Sequence, residues 1–262
     1  MHTREEKVEA FGRLVDVIDR LRVDCPWDRK QTFESLRTQT IEEVYELCSA
    51  ILKRDYKDIC KEAGDVLMHM VFYGKLGSEL PETERFDIAD VCNHEADKLI
   101  FRHPHVYGTV NAETAEQVLQ NWEDLKLKER DGNKTVLGGV PDVLPALVKA
   151  MRIQDKARSA GFDWDEREQV WDKVREEIGE FEAEVSGMNE ERMAEEFGDV
   201  LFSLINAARL YHINPENALE RTNQKFIKRF NYIEAKAKEQ GRELRSMTLD
   251  EMETLWQQAK HV

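Results

Sequence analysis

Proline and glycine are scarce in this chain, 6 and 13 of 262 residues, both below the usual ~5% and ~7%. That shortage, with no clean apolar/polar alternation, argues against a turn-rich β sandwich or barrel. The four cysteines, Cys25, Cys48, Cys60 and Cys92, form no CxxC pair. They read as reduced thiols of a cytoplasmic protein, not as a disulfide frame. Long apolar runs are missing too. Apolar stretches without Asp, Glu, Lys or Arg, such as 66–74 and 200–208, fall far short of the ~20 residues that span a bilayer. The opening MHTREEKVEAF is charged and lacks a signal-peptide core. Basic charge is the minority, 38 Lys and Arg against 53 Asp and Glu, for a net charge of -15. Such a surface repels nucleic acid and anionic membrane, so neither is expected as a partner. A multivalent cation suits it better.

What is present is helical periodicity. Phe11, Leu14, Val15, Ile18 and Leu21 recur three or four apart, and similar spacing runs almost to the C-terminus, for about ten helices. Asn214-Pro215 reads as an N-cap followed by proline at the first helical position, and Thr248 with Glu251 as a capping box. Gly, Pro and Asn crowd together only in 131–145, which divides the chain nearly in half. The expected organisation is therefore a domain over 1–131, a linker over 132–145 and a domain over 146–262.

The halves repeat. A shift of 134 residues places Glu42, Glu43, Glu46, Glu62, Gly64, Asp65, Val66 and Leu67 on Glu176, Glu177, Glu180, Glu196, Gly198, Asp199, Val200 and Leu201, eight identities in 26 positions. It also superposes Trp122 on Trp256 and Lys126 on Lys260. The expected fold is all-α, with two tandem homologous helical bundles.

The carboxylates are spaced for a purpose. Glu43 with Glu46, and Glu62 with Asp65, each share a helix face. Glu46 and Glu62 both lie eight residues from position 54, and Glu43 and Asp65 both lie eleven from it. An antiparallel hairpin turning at Arg54-Asp55 would set the two pairs level, and the second copy has the same symmetry about Met188. Carboxylates about 5 Å apart repel by roughly 3 kcal/mol at an effective dielectric near 20, so four together call for a cation. Oxygen donors without His or Cys select Mg²⁺, Mn²⁺ or Ca²⁺ over zinc, and Mg²⁺ commonly joins carboxylates to substrate phosphates. A single ExxE on so acidic a chain is usually a solvated face; duplication and mirror symmetry favour the metal reading. A di-iron bundle would need Glu-x-x-His, and no histidine has that spacing. Asp163-Trp164-Asp165 lacks the glycine and terminal glutamate of an EF-hand loop.

With these motifs stand Cys25-Pro26-Trp27-Asp28, Arg102-His103-Pro104-His105-Val106, Gly161-Phe162-Asp163-Trp164, Lys225-Phe226, Arg229-Phe230 and Trp256. In that order they resemble the MazG family of nucleoside triphosphate pyrophosphohydrolases, in its long form with two tandem domains. The resemblance implies hydrolysis of NTP or dNTP substrates to monophosphate and pyrophosphate with Mg²⁺, Mn²⁺ being the alternative ion, broad base choice and a homodimer. It also implies that Glu177, Glu180, Glu196 and Asp199 hold the metal. Lys173, Glu176, Arg192, Lys225, Lys228, Arg229 and Trp256 would line the nucleotide site. Glu176 or Glu195 is the candidate to accept the attacking water's proton. Glu43, Glu46, Glu62 and Asp65 form a second candidate metal site.

The copies differ where a triphosphate needs cations. Lys173 faces Gln39 in the alignment, Arg175 faces Ile41 and Arg192 faces Asp58; when Lys225 is set against Lys98, Lys228 falls on Phe101. The C-terminal domain is therefore the expected catalyst, and the N-terminal copy is expected to turn over weakly or not at all. His103-Pro104-His105 reads as a structural loop, and Trp164 and Trp171 as core anchors. The rival to an enzyme is a non-catalytic helical scaffold that binds a divalent ion or nucleotide.

Overall fold

The computed structural model describes residues 1–112, 114, 117–118, 121–122, 125, 135–164 and 166–261. Among them are ten α-helices, five short 3-10 turns and no strand, as an all-α reading requires. The chain divides into two compact units, Met1–Trp122 and Glu123–Val262. Lys126, Asp131, the Gly132-Asn133-Lys134 part of the expected linker, and Asp165 lie outside the described residues.

The first unit contains α1 (Arg4–Asp24), α2 (Phe33–Lys53), α3 (Tyr56–Ser78), α4 (Ile88–Arg102) and the single turn α5 (Pro104–Tyr107). Side-chain caps fix where the long helices start. Thr3, Thr32, Asp55 and Asp87 each accept a hydrogen bond from an orphan N–H of the first turn. Ile18, Leu36, Val71, Phe72 and Leu76 form the buried core, flanked by Phe11, Leu14 and Val15 of α1. The chain leading into α4 presses on α3 at two glycines. A Cβ on Gly77 would stand 2.6 Å from the Phe86 carbonyl oxygen, and one on Gly74 2.8 Å from the Ile88 nitrogen. The His103-Pro104-His105 segment is less of a loop than its proline suggests. His103 caps α4, and Pro104 opens α5 at the position where its missing N–H costs nothing.

The second unit contains α6 (Ala146–Ser159), α7 (Val170–Gly187), α8 (Glu190–Leu210), α9 (Pro215–Glu239) and α10 (Leu249–Gln258). The Asn214 cap with Pro215 and the Thr248–Glu251 capping box are both present. Val170, Val174 and Ala207 form one buried cluster, and Ile233, Ala237, Met247 and Leu255 another.

Each unit is built around one helix hairpin. α2 ends at Arg54 in the left-handed conformation (φ 57°), and Asp55 caps α3. α7 ends at Met188 (φ 52°), and Asn189 caps α8. The pivots fall on the symmetry positions 54 and 188. The glycine of the second tip, Gly187, stays helical, so a non-glycine residue carries the positive φ in both hairpins.

Candidate metal and nucleotide site

Because the hairpins turn at 54 and 188, carboxylates at equal distances from those residues meet across the helix pair. Glu177, Glu196 and Asp199 each offer an oxygen, and the three lie within 4.8 Å of one another; Glu43, Glu62 and Asp65 do the same in the first unit. Glu180 and Glu46 stand outside these groups and are exposed. Height along the hairpin does not set them apart, since Glu62 and Glu196 lie equally far from the turn yet join the groups; the exposed side chains of Glu46 and Glu180 reduce like-charge repulsion by staying in solvent. Glu180 is nonetheless close enough to act on Glu196, whose carboxyl is pushed up first by partial desolvation, then by Glu180, Asp199, Glu177 and Glu195.

A lysine sits on the most buried carboxylate of each group. Lys173 Nζ lies 2.7 Å from Glu177 and 2.8 Å from Glu176; these two carboxylates, Glu176 foremost, raise the lysine above its ordinary range. In the first unit Lys61 takes this place, 2.6 Å from Glu62, from α3 rather than α2. The carboxylate on the facing helix is left to bear the repulsion. Glu43, like Glu196, is pushed up first by desolvation and then by its neighbours, Asp65 foremost.

Both groups suit a hard divalent ion. The donors are oxygens alone, one carboxylate of each set is buried (Glu62 or Glu177), and Glu62 Oε2 is buried without a hydrogen-bond partner.

Beside the second group lies a cavity of about 690 Å³ whose walls include Lys173, Glu177 and Asp199. Its remaining walls are mainly apolar: Leu137, Ile153, Ala157, Phe162, Val170 and Phe202, with Trp164. Gln154, Ser203 and Asn206 contribute polar atoms. Arg209 also borders it, held by Asp163 at 2.5 and 3.0 Å and by Asn206. Trp164 thus faces the cavity, while Trp171 donates its indole N–H to Tyr211. In the first unit the matching positions carry larger side chains. His69, Phe72 and Tyr73 stand where the second unit has Ser203, Asn206 and Ala207. His69 and Phe72 are 3% and 1% exposed, and Thr40 Oγ1 lies 2.6 Å from both His69 Nδ1 and the Tyr73 hydroxyl. Ser203 and Asn206 line the cavity of the second unit, whereas their counterparts His69 and Phe72 are packed into buried structure.

The remaining predicted residues are dispersed. Glu176 and Glu195 are exposed, one paired with Lys173 and the other beside Glu196. Arg192 pairs with Glu184 at 3.5 Å. Lys225 and Lys228 are exposed on α9. The Arg229 guanidinium lies 5.4 Å from the Trp256 ring centre, and Phe226 is 5.0 Å from the same ring. Arg102 covers Trp122 at 5.8 Å, the same device in the first unit. Among the described residues, none of Lys225, Lys228, Arg229 and Trp256 lines the cavity. Gln154, Phe202, Asn206 and the Asp163–Arg209 pair are cavity residues that sequence reasoning missed. For Asn206 the available signal was the trade of Phe72 for a smaller residue between the copies; the others carried none.

The chain matches the model of the MazG nucleotide pyrophosphohydrolase domain over residues 31–107 and 166–233. It is 40% identical over 260 residues to an Escherichia coli (strain K12) protein named nucleoside triphosphate pyrophosphohydrolase, covering 97% of this chain and 98% of that one. A Thermotoga maritima nucleoside triphosphate pyrophosphohydrolase/pyrophosphatase MazG is 37% identical over 253 residues, 95% of each chain. Bacillus subtilis YabN is 44% identical over 98% of this chain, which spans 53% of that longer protein. Two matched domains, each holding its own carboxylate hairpin, make this chain a member of the MazG nucleotide pyrophosphohydrolase family.

Proposed function

We propose that this chain hydrolyses nucleoside triphosphates to nucleoside monophosphate and pyrophosphate, that it uses Mg²⁺ or Mn²⁺, and that the C-terminal unit does the work. The observation that carries this reading is the sharing of Glu177 and Asp199 between a three-carboxylate group and a cavity large enough for a nucleoside. The names of the relatives point to the same reaction.

In this reading Glu177, Glu196 and Asp199 hold the divalent ion, with Glu180 completing the set. When bound, the ion supplies Lewis-acid neutralisation of the negative charge that builds on the phosphate oxygens. The protein's own groups do the rest. Lys173, freed from one of its two carboxylate partners, presents its ammonium to the phosphates. Arg192, Lys225, Lys228 and Arg229 add positive charge, and Trp256 holds the Arg229 guanidinium by cation–π contact. Glu176 or Glu195 accepts the proton of the attacking water, since neither is needed to hold the ion. The apolar cavity walls keep bulk water away from the nucleoside.

A homodimer fits an apolar strip on the hairpin. Ile178, Phe197, Leu201 and Leu204 are each about 40–50% exposed, and a second copy would cover them. No helix among the described residues is long and apolar enough to cross a membrane.

The test is to incubate the purified chain with each of the common NTPs and Mg²⁺ and to identify the products. Monophosphate with pyrophosphate supports the proposal. Diphosphate with phosphate would contradict it, and release of neither would favour the binding scaffold.

A further inference from the structure

Gln154 of α6 is 6% exposed and lines the cavity. Its Nε2 donates to the Phe202 carbonyl oxygen at 2.8 Å. Only the NH₂ end of the amide can make that bond, so the orientation is fixed and Oε1 is left as a pure acceptor. That oxygen is buried and has no partner. A native structure seldom leaves such an atom unsatisfied without a reason, and a ligand that supplies a donor is one.

The chemistry of the surrounding wall narrows what the ligand is. Arg209 is the cation nearest in sequence to the Phe202–Asn206 stretch of that wall, and it is engaged by both oxygens of Asp163 and by Asn206 Oδ1. The pair neutralises itself and leaves this side of the cavity without free charge for a phosphate. Phe162, Trp164 and Phe202 offer flat apolar surface instead. An uncharged, planar group with an N–H on its edge satisfies all three conditions: neutral wall, aromatic surface and orphaned acceptor. Lys173, Glu177 and Asp199, on the same cavity, are left for the triphosphate and its ion.

We infer that the cavity wall formed by α6 and α8 is the base-reading subsite, in which Gln154 Oε1 accepts an N–H from the edge of the substrate's base and so selects bases that present a donor there. The inference rests on the nucleotide reading of the adjacent carboxylate group.

The experiment compares ATP with purine riboside 5′-triphosphate, which has no N–H on its base, and CTP with the 2-pyrimidinone riboside triphosphate, which lacks the amino group. The parent protein should favour the natural nucleotide of at least one pair by about tenfold in kcat/KM, the usual effect of one buried hydrogen bond. Gln154→Met keeps the volume and removes the acceptor. It should bring the natural nucleotide down to the analogue while leaving the analogue unchanged. Equal losses for both members of each pair, or no discrimination by the parent, would overturn the inference. Should Gln154→Met fail to fold by circular dichroism, Ala157→Leu narrows the same cavity without touching a polar group. It should raise KM for every nucleotide by a larger factor than KM for methyl triphosphate, which has no base; equal losses for both would overturn the inference. Calorimetric binding of AMP and purine riboside 5′-monophosphate in the presence of Mg²⁺ gives the same comparison without turnover. A parent that binds AMP at least tenfold better than its analogue but hydrolyses nothing would defeat the proposed reaction and leave the subsite standing.

Discussion

The two units carry the same carboxylate hairpin to different ends. In the first, His69, Phe72 and Tyr73 fill the space beside the acidic group, and the lysine that pairs with its buried carboxylate comes from α3. In the second, Ser203 and Asn206 line a cavity, and the pairing lysine comes from α7 and forms part of the cavity wall. On the proposed function, a duplicated carboxylate frame is kept for its folding role in one copy and used for chemistry in the other. What differs is the room beside it and the position of one cation, not the carboxylates.

The largest expected effect is from removing one carboxylate in each copy. Glu196→Gln should lower pyrophosphate release by about a hundredfold or more, the scale of losing one preorganised electrostatic contact in a dry site. Glu62→Gln should leave the rate within about twofold. Equal losses from both would erase the functional distinction between the units.

Next in size is transplanting the filling. Ser203→His with Asn206→Phe, the residues at the matching positions of the first unit, should close the second cavity and raise KM for NTPs by about tenfold or more. The overpacking should cost about 1–3 kcal/mol in stability. Tyr73→Ala, by contrast, opens a hole beneath Phe33 and Thr40 in the first unit. Tyr73 is only partly buried, so a loss toward the low end of the ~3–5 kcal/mol typical of large aromatic truncations is expected in a thermal melt.

A third distinction is sensitivity to acid. Burial holds His69 below its usual range, with Asp65 opposing. The unfolded chain therefore takes up a proton at higher pH than the folded one. Stability of the first unit should be complete above the ordinary histidine pKa and should fall as the pH drops below it, by up to about tenfold per pH unit in the opening equilibrium. Ser203 does not titrate. Hydrogen exchange of the full chain in chelator, corrected for intrinsic rates, should show α3 peptides losing protection between about pH 7 and 5. Parallel behaviour of α8, or its disappearance only from α8, would break this contrast.

The smallest effect concerns the Trp256 helix. Glu251 is lowered to about 2, first by the Arg242 hydrogen bond and then by the Thr248 N–H. A carboxylate lowered in the fold stabilises it above the unfolded pKa and loses that contribution as pH falls from about 4.5 toward 2. Arg242→Gln should therefore weaken α10 at neutral pH and flatten its acid response. Because the pair is solvent-exposed, less than about fivefold change in α10 exchange is expected.

Much of this contrast was legible in the residues. Helix periodicity points to the fold class, and the symmetry of Glu43, Glu46, Glu62 and Asp65 about position 54 points to the hairpin. The turn residues Arg54 and Met188 confirm that register. The exclusion of Glu180 and Glu46 from the tightest groups was not legible, because rotamer choice under like-charge repulsion does not follow from helix spacing alone. Nor was Gln154. It lies on α6, outside the repeated motif, and its significance appears only when the Phe202 carbonyl fixes the amide and leaves Oε1 facing no partner.

The most direct measurement of the central claim is hydrogen exchange on the full chain with and without Mg²⁺ and a non-hydrolysable nucleoside triphosphate. Binding at the C-terminal cavity predicts slowed exchange in α6, in 161–164 and in α8 through Arg209, with α1 to α3 unchanged. Protection confined to α1, α2 and α3, with the second unit unaffected, would contradict it.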